Sequence, residues 1–128
     1  MTTIAAALHD LLNERDIPLE TAVARHFTDD YQQRTDGELS DRTGFVEHIA
    51  HLRSIVEHVD ITVNDEFEDG SRYADRHLVR VLKRDGATVT QEVYLFGTRA
   101  ADGRFSFVDE VTLMLDGDAT DREMGRAR

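Results

Sequence analysis

Two adjacent carboxylates near the end of the chain, Asp109 and Glu110, are the side chains best suited to proton chemistry. They lie in a stretch, 104–115, that reads as a strand, and neighbours on a strand point to opposite faces. One of the pair therefore faces inward and the other outward. A carboxylate set in an apolar wall is a candidate general acid or base, because desolvation lifts its pKa toward neutrality. Strict alternation groups Phe105, Phe107, Asp109, Val111, Leu113 and Leu115 on one face, against Ser106, Val108, Glu110, Thr112 and Met114 on the other. The first face is more apolar, so burial alone turns Asp109 inward. The second mixes polar and apolar groups, as a pocket wall does, and turns Glu110 inward.

A second constellation lies in the stretch 72–83. His77 carries an imidazole, a group able to give or take a proton near pH 7, and Asp75, two residues away on the same face, is a carboxylate able to orient its ring. Arg76 points the opposite way and competes with His77 for the inner side; there it would steady a developing oxyanion. Tyr31 and Arg34, further upstream, are candidate substrate-binding groups, Tyr31 as a hydroxyl donor. His48, His51 and His58 are spaced so that two could share a metal, but they fall beside or opposite the apolar stripe of their helix, so no metal site is expected. Glycine-rich phosphate loops, dinucleotide fingerprints and G-x-S-x-G elbows are absent, and no cofactor is expected. Without Cys there is no disulfide, thiolate ligand or Cys nucleophile.

The elements that must position these groups change character halfway along the chain. Ile4, Leu8, Leu11 and Leu12 form the apolar stripe of a first helix. Pro18 suits the start of a second, in which Leu19, Val23, Phe27 and Tyr31 recur at steps of four. A third begins near Ser40 or Asp41, both good caps, and carries Phe45, Ile49, Leu52 and Val56. Thr35-Asp36-Gly37 marks a turn between the second and third. From Val59 onward, Asp-Gly pairs at 69–70, 85–86, 102–103 and 116–117 punctuate four long strands, 59–68, 72–83, 88–99 and 104–115. Asp-Gly favours tight hairpins, so the strands form an antiparallel meander. The layout is α+β: three N-terminal helices packed on a curled antiparallel meander of four or more strands. Residues 1–117 make one domain, and 118–128 are expected to fray.

With 128 residues, 40% of them hydrophobic and 32% charged, the chain is large enough to bury a core. Its net charge of −11 argues against nucleic acid and anionic membranes as partners. The first ten residues lack the basic start of a signal peptide, and with no Cys the expected location is the cytoplasm.

Phe27-Thr28-Asp29-Asp30-Tyr31-Gln32-Gln33-Arg34 is similar to the F-x-x-D-Y-x-x-H/R motif of the SnoaL-like branch of the nuclear-transport-factor-2-like superfamily. Gly44-Phe45 through Leu52-Arg53 resembles that branch's third helix. Asp102-Gly103-Arg104-Phe105 into Val108-Asp109-Glu110 resembles the entry to its acid-bearing last strand. The resemblance spans about 4–115 and implies a cone-like barrel with an internal pocket. That fold hosts polyketide cyclases, ketosteroid isomerases, epoxide hydrolases and dehydratases, so it does not fix function.

By resemblance the pocket acid falls on Glu110. Arg76 matches an epoxide-hydrolase Arg, but Leu78 stands where the second carboxylate belongs, which argues against epoxide hydrolysis. Arg34 replaces a frequent His. The resulting expectation is a cofactor-free isomerase, cyclase or dehydratase acting on a small hydrophobic or carbonyl-containing molecule. The alternatives are a non-catalytic binder of a hydrophobic ligand and a dimeric scaffold. The outward row Phe105, Phe107, Val111 and Leu113 would form a homodimer contact through the sheet face.

Overall fold

The computed structural model describes residues 1–117; the expectation of a frayed 118–128 segment lies outside the described residues. The elements are α1 (Ile4–Leu12), α2 (Leu19–His26), β1 (Phe27–Thr35), β2 (Glu38–Asp41), α3 (Arg42–Ile55), β3 (Val56–Asp69), β4 (Arg72–Lys83), β5 (Thr88–Arg99) and β6 (Phe105–Asp116). Six strands form one sheet in the order β2-β1-β6-β5-β4-β3. β1 and β6 run parallel, and the other neighbours are antiparallel. The sheet curls around the helices without closing, so the expected barrel is an open cone.

The meander follows its turn chemistry. Gly70, Gly86 and Gly103, at φ of 61°, 91° and 86°, sit in the three hairpins that join β3 to β6. Asp41 caps α3 by accepting the Gly44 N–H at 2.9 Å, as its residue type predicts. The first half departs from expectation in two places: Val56, expected on the third helix, opens β3, and the second helix is shorter than its apolar pattern. The chain leaves the helix after His26, and Phe27–Thr35 is a strand, not the end of α2. Phe27 and Tyr31 are four apart, a spacing that shares a face on a helix and on a strand alike. Pairing with β2 on one side and β6 on the other decides for the strand. The Thr35-Asp36-Gly37 turn consequently joins two strands; Asp36 (φ 51°) and Gly37 (φ 86°) both take the positive φ of a type I′ hairpin turn.

A bulge in β6 sets which of its side chains face the helices. Thr98 pairs with Phe107 and Arg99 with Phe105, leaving Ser106 as an extra residue. Phe105 (0% exposed) and Val108 (2%) consequently face the same core, and the inward set continues on even positions. Phe105 packs edge-on to Tyr73, ring centroids 5.3 Å apart, and so leaves the outer row in which strict alternation put it.

α1 and α3 are fastened by side chains that satisfy exposed backbone ends. Asn13 exchanges two 2.9 Å hydrogen bonds with the backbone of Val59. Arg53 donates to the carbonyls of Asp10, Leu11 and Ile17 near the end of α1. Phe27, Tyr31 and Phe45 then bring β1 and α3 together, with centroids 4.6–5.0 Å apart.

Candidate active site

Between the helices and the inner face of the sheet lies a cavity of about 110 Å³, partly open to solvent. Leu8, Leu11, Phe45, Ile49, Leu52 and Val93 are typical of its walls. Its polar lining comes from Tyr31, Gln33, His48, His77, Gln91, Glu110 and Thr112. The space is apolar with ionisable groups in its wall, the setting in which a carboxyl or an imidazole is most strongly perturbed.

Glu110 lines the cavity beside Thr35, its neighbour in the parallel β1–β6 ladder. The Thr35 hydroxyl donates to Glu110 Oε1 at 3.1 Å, Gln33 Nε2 donates to Thr35 Oγ1 at 3.1 Å, and the Tyr31 hydroxyl donates to Gln33 Oε1 at 2.7 Å. Three alternate residues of β1 thus form one hydrogen-bonded row ending on the carboxyl. Burial pushes the Glu110 pKa up to about 7; the positive charge of His77 and the Thr35 hydrogen bond oppose the rise, and Asp36 and Asp75 add to it. Tyr31 is raised well above its ordinary value by burial and then by the Glu110 charge, so it remains a neutral hydroxyl. The turn fixes the level of this strand: the Asp36 N–H donates to the Glu110 carbonyl at 3.0 Å. The Asp36 carboxylate accepts from the Thr112 N–H (2.8 Å) and hydroxyl (2.6 Å).

His77 enters from β4, and its side chain is 2% exposed. Its Nδ1 lies 2.8 Å from Asp75 Oδ1, and the Asp75 side chain is fully buried. Asp75, Leu95 and Glu110 form one cross-strand row, and His77, Val93 and Thr112 the next. Both acid–base groups therefore stand on the same inner face. The 2.8 Å contact assigns the Nδ1 proton to the Asp75 side and leaves Nε2 for the cavity.

Three expected site residues lie elsewhere. Asp109 is on the outer face, with Oδ1 3.7 Å from Arg34 Nε. Arg34 is exposed there, because β1 is a strand whose even positions 32 and 34 turn outward. Arg76 is also on the outer face and ion-pairs Asp65 at 2.9 Å, with a pKa raised by hydrogen bonds to Tyr94 and Asp65. Alternation on β4 allowed only one of Arg76 and His77 inside, and the buried set Tyr73, Asp75, His77 and Val81 is the inner one. Neither Arg34 nor Arg76 lines the cavity.

Thr35 and Gln91 were not singled out from the sequence as site residues, Gln33 was read only as part of a helix end, and His48 only as a metal-spaced histidine at the helix flank. Gln33 and Thr35 were hidden by the helical reading of 27–34, and an alternating pattern from Tyr31 to Thr35 is the signal that finds them. His48 projects from α3 into the cavity lining, not to the helix flank. Among the described residues, no group of three or more His, Asp or Glu is arranged to hold a metal ion, and no helix is long and apolar enough to cross a membrane.

An open, curled six-stranded sheet wrapped on three helices, with a carboxyl inside, is the cone-type α+β fold of the nuclear-transport-factor-2-like proteins. No family model matches the chain. It is 33% identical over 98 residues to uncharacterized protein C11D3.04c of Schizosaccharomyces pombe, spanning 77% of this chain and 75% of that protein. IdmH of Streptomyces antibioticus, a proposed polyketide cyclase, superposes with a TM-score of 0.67 at 16% identity, covering 85% of this chain and 88% of its own. An NTF2-like protein of Exiguobacterium sp. 255-15 superposes at 0.64 with 16% identity, covering 90% of this chain and 100% of its own. The chain shares a family with the fission-yeast protein, and its fold is that of the nuclear-transport-factor-2-like proteins.

Proposed function

We propose that the protein is a cofactor-free enzyme that moves a proton on a small, mostly apolar carbonyl compound held in the internal cavity. The observation that carries this reading is Glu110: a carboxyl titrating near 7 in the wall of an apolar space and hydrogen-bonded from one side by Thr35. As a carboxylate it takes the proton from the carbon beside the carbonyl; as an acid it returns it at another carbon or to a leaving group. His77, braced by Asp75, and the neutral Tyr31 are the groups that would donate to the developing oxyanion. Such chemistry underlies isomerisation, dehydration and aldol cyclisation.

The size of the space narrows the choice. A dry cavity of roughly 150 Å³ holds a benzene molecule, so about 110 Å³ encloses most of a five-membered ring, with the rest of the molecule reaching out through the opening. A fitting probe is 3-cyclopentenone. Abstraction of the proton between carbonyl and alkene gives a dienolate, and its return at the γ-carbon gives the conjugated 2-cyclopentenone, followed by ultraviolet absorbance. Turnover is expected to rise with pH through an apparent pKa near 7, as Glu110 ionises. Saturable binding of the ketone with no conversion at any pH would replace this reading with that of a binder.

The sheet's outer face carries a separate proposal, a homodimer. Phe96 (67% exposed), Val111, Leu113 and Leu115 lie on β5 and β6, and Tyr94 pairs directly with Val111 across the two strands. A contiguous apolar row of this kind is rarely left to solvent, and a two-fold partner buries it. Sedimentation velocity at micromolar concentration is expected to give a dimer, and Leu113→Glu a folded monomer. A wild-type monomer overturns the dimer.

A further inference from the structure

Tyr73, Asp75 and Glu66 make a chain of polar atoms that the proton transfer at Glu110 does not use. A bulge creates it. Val63 pairs with His77 and Asp65 with Arg76, leaving Asn64 as an extra residue in β3. Before the bulge the odd positions of β3 face inward; after it, Glu66 stands directly across from Asp75. Two carboxylates facing each other across a sheet are unfavourable unless something bridges them. The bridge here is the Tyr73 hydroxyl, 2.5 Å from Glu66 Oε2 and 3.0 Å from Asp75 Oδ2. The Ile4 N–H donates to the same oxygen at 3.4 Å, and the Arg99 guanidinium lies 4.8 Å from the centre of the Tyr73 ring. The hydroxyl is held from three directions while the ring is clamped from a fourth. One end of the chain is His77, in the cavity wall; the other is Glu66, an exposed residue.

We infer that His77, Asp75, Tyr73 and Glu66 form a proton path that joins the cavity to water at the β3 edge, separate from the cavity opening. The transfer balances at each atom. Protonated His77 gives its Nδ1 proton to Asp75 Oδ1, and the neutral carboxyl turns about its Cβ–Cγ bond so that this proton faces the Tyr73 oxygen. The hydroxyl passes its own proton to Glu66 Oε2, and Glu66 releases it to water. Asp75, Tyr73 and Glu66 return to their starting forms, His77 is left neutral, and one proton has moved from the imidazole to solvent; the reverse sequence reloads His77. Burial and both carboxylates raise the Tyr73 pKa, so the hydroxyl acts by exchanging one proton for another and never as a free phenolate. Tyr73 and Glu66 touch no substrate and act through His77. The use of the path in turnover rests on the proposed acid–base function, but its existence rests on the geometry alone.

The test needs no substrate. In full-length, ¹⁵N-labelled protein, the exchange of the His77 Nδ1 proton with water is measured by NMR in wild type, Tyr73→Phe and Glu66→Gln. Glu66→Gln is the deciding variant, because Gln still accepts a hydrogen bond from Tyr73 but cannot carry the proton onward. Both variants are expected to slow the exchange on the order of 10-fold or more, with His77 keeping its tautomer. A structural role for Glu66 predicts that Gln rescues it fully. Unchanged exchange in Glu66→Gln means that His77 exchanges through the cavity opening and overturns the path, whether or not Tyr73→Phe folds. Failure of the cyclopentenone assay leaves this measurement untouched, so the two proposals fall separately.

Discussion

Glu110→Gln is expected to cut turnover of the proposed reaction on the order of 10²-fold or more while leaving affinity for the ketone nearly unchanged. Gln matches the shape of Glu and still accepts from Thr35, so the loss isolates proton transfer. The same substitution is expected to stabilise the fold above neutral pH. In the folded protein Glu110 titrates at about 7, against an ordinary 4.5. Below the lower value both folded and unfolded chains hold the proton, and the site has no pH-dependent cost. Between the two values the unfolded chain releases the proton and the folded chain keeps it, so stability falls as pH rises. Above the upper value the full deficit is present, roughly 3 kcal/mol at 1.36 kcal/mol per unit. Gln has no proton to lose. Urea unfolding at pH 8 is expected to show Glu110→Gln more stable than wild type by roughly 2–3 kcal/mol, with the gain vanishing near pH 4. Equal stability at the two pH values would place the carboxyl in water and remove the basis of the proposed function.

Phe105→Ala is expected to be the most destabilising single truncation among the residues discussed. The ring is fully buried, edge-on to Tyr73 at 5.3 Å and 6.0 Å from Phe27. A Cβ at Gly97 would sit 3.2 Å from its Cε1, so the absence of a side chain there gives the ring its space. Removing a buried phenyl deletes its transfer energy and leaves a void that β-sheet neighbours cannot collapse into, about 3–5 kcal/mol. For a domain of this length that corresponds to a fall in Tm of roughly 10–20 °C. A cost below about 1 kcal/mol would mean that Phe105 faces outward, as strict alternation from an inward Glu110 implies.

The hairpins of β3 to β6 were legible in the sequence because their determinants are local. An Asp-Gly pair sets its own turn whatever lies around it, and Asp41 caps α3 through a residue three positions away. The identity of β1 and the facing of β6 were not local. Phe27 and Tyr31, four apart, fit either period, and only pairing with β2 and β6 makes them a strand. That choice carried Gln33 and Thr35 into the cavity wall and Arg34 out of it. On β6 the apolar pattern pointed to Asp109, because alternation from Phe105 assumes an unbroken ladder. The extra residue at Ser106 breaks it and puts Phe105 and Glu110 on one side. The bulge at Asn64 does the same for Glu66. A bulge exists only where two strands of unequal spacing are forced into register, so its position depends on a partner far away in sequence. Residue types therefore determined which groups had the chemistry, and the assembled sheet decided which of them meet.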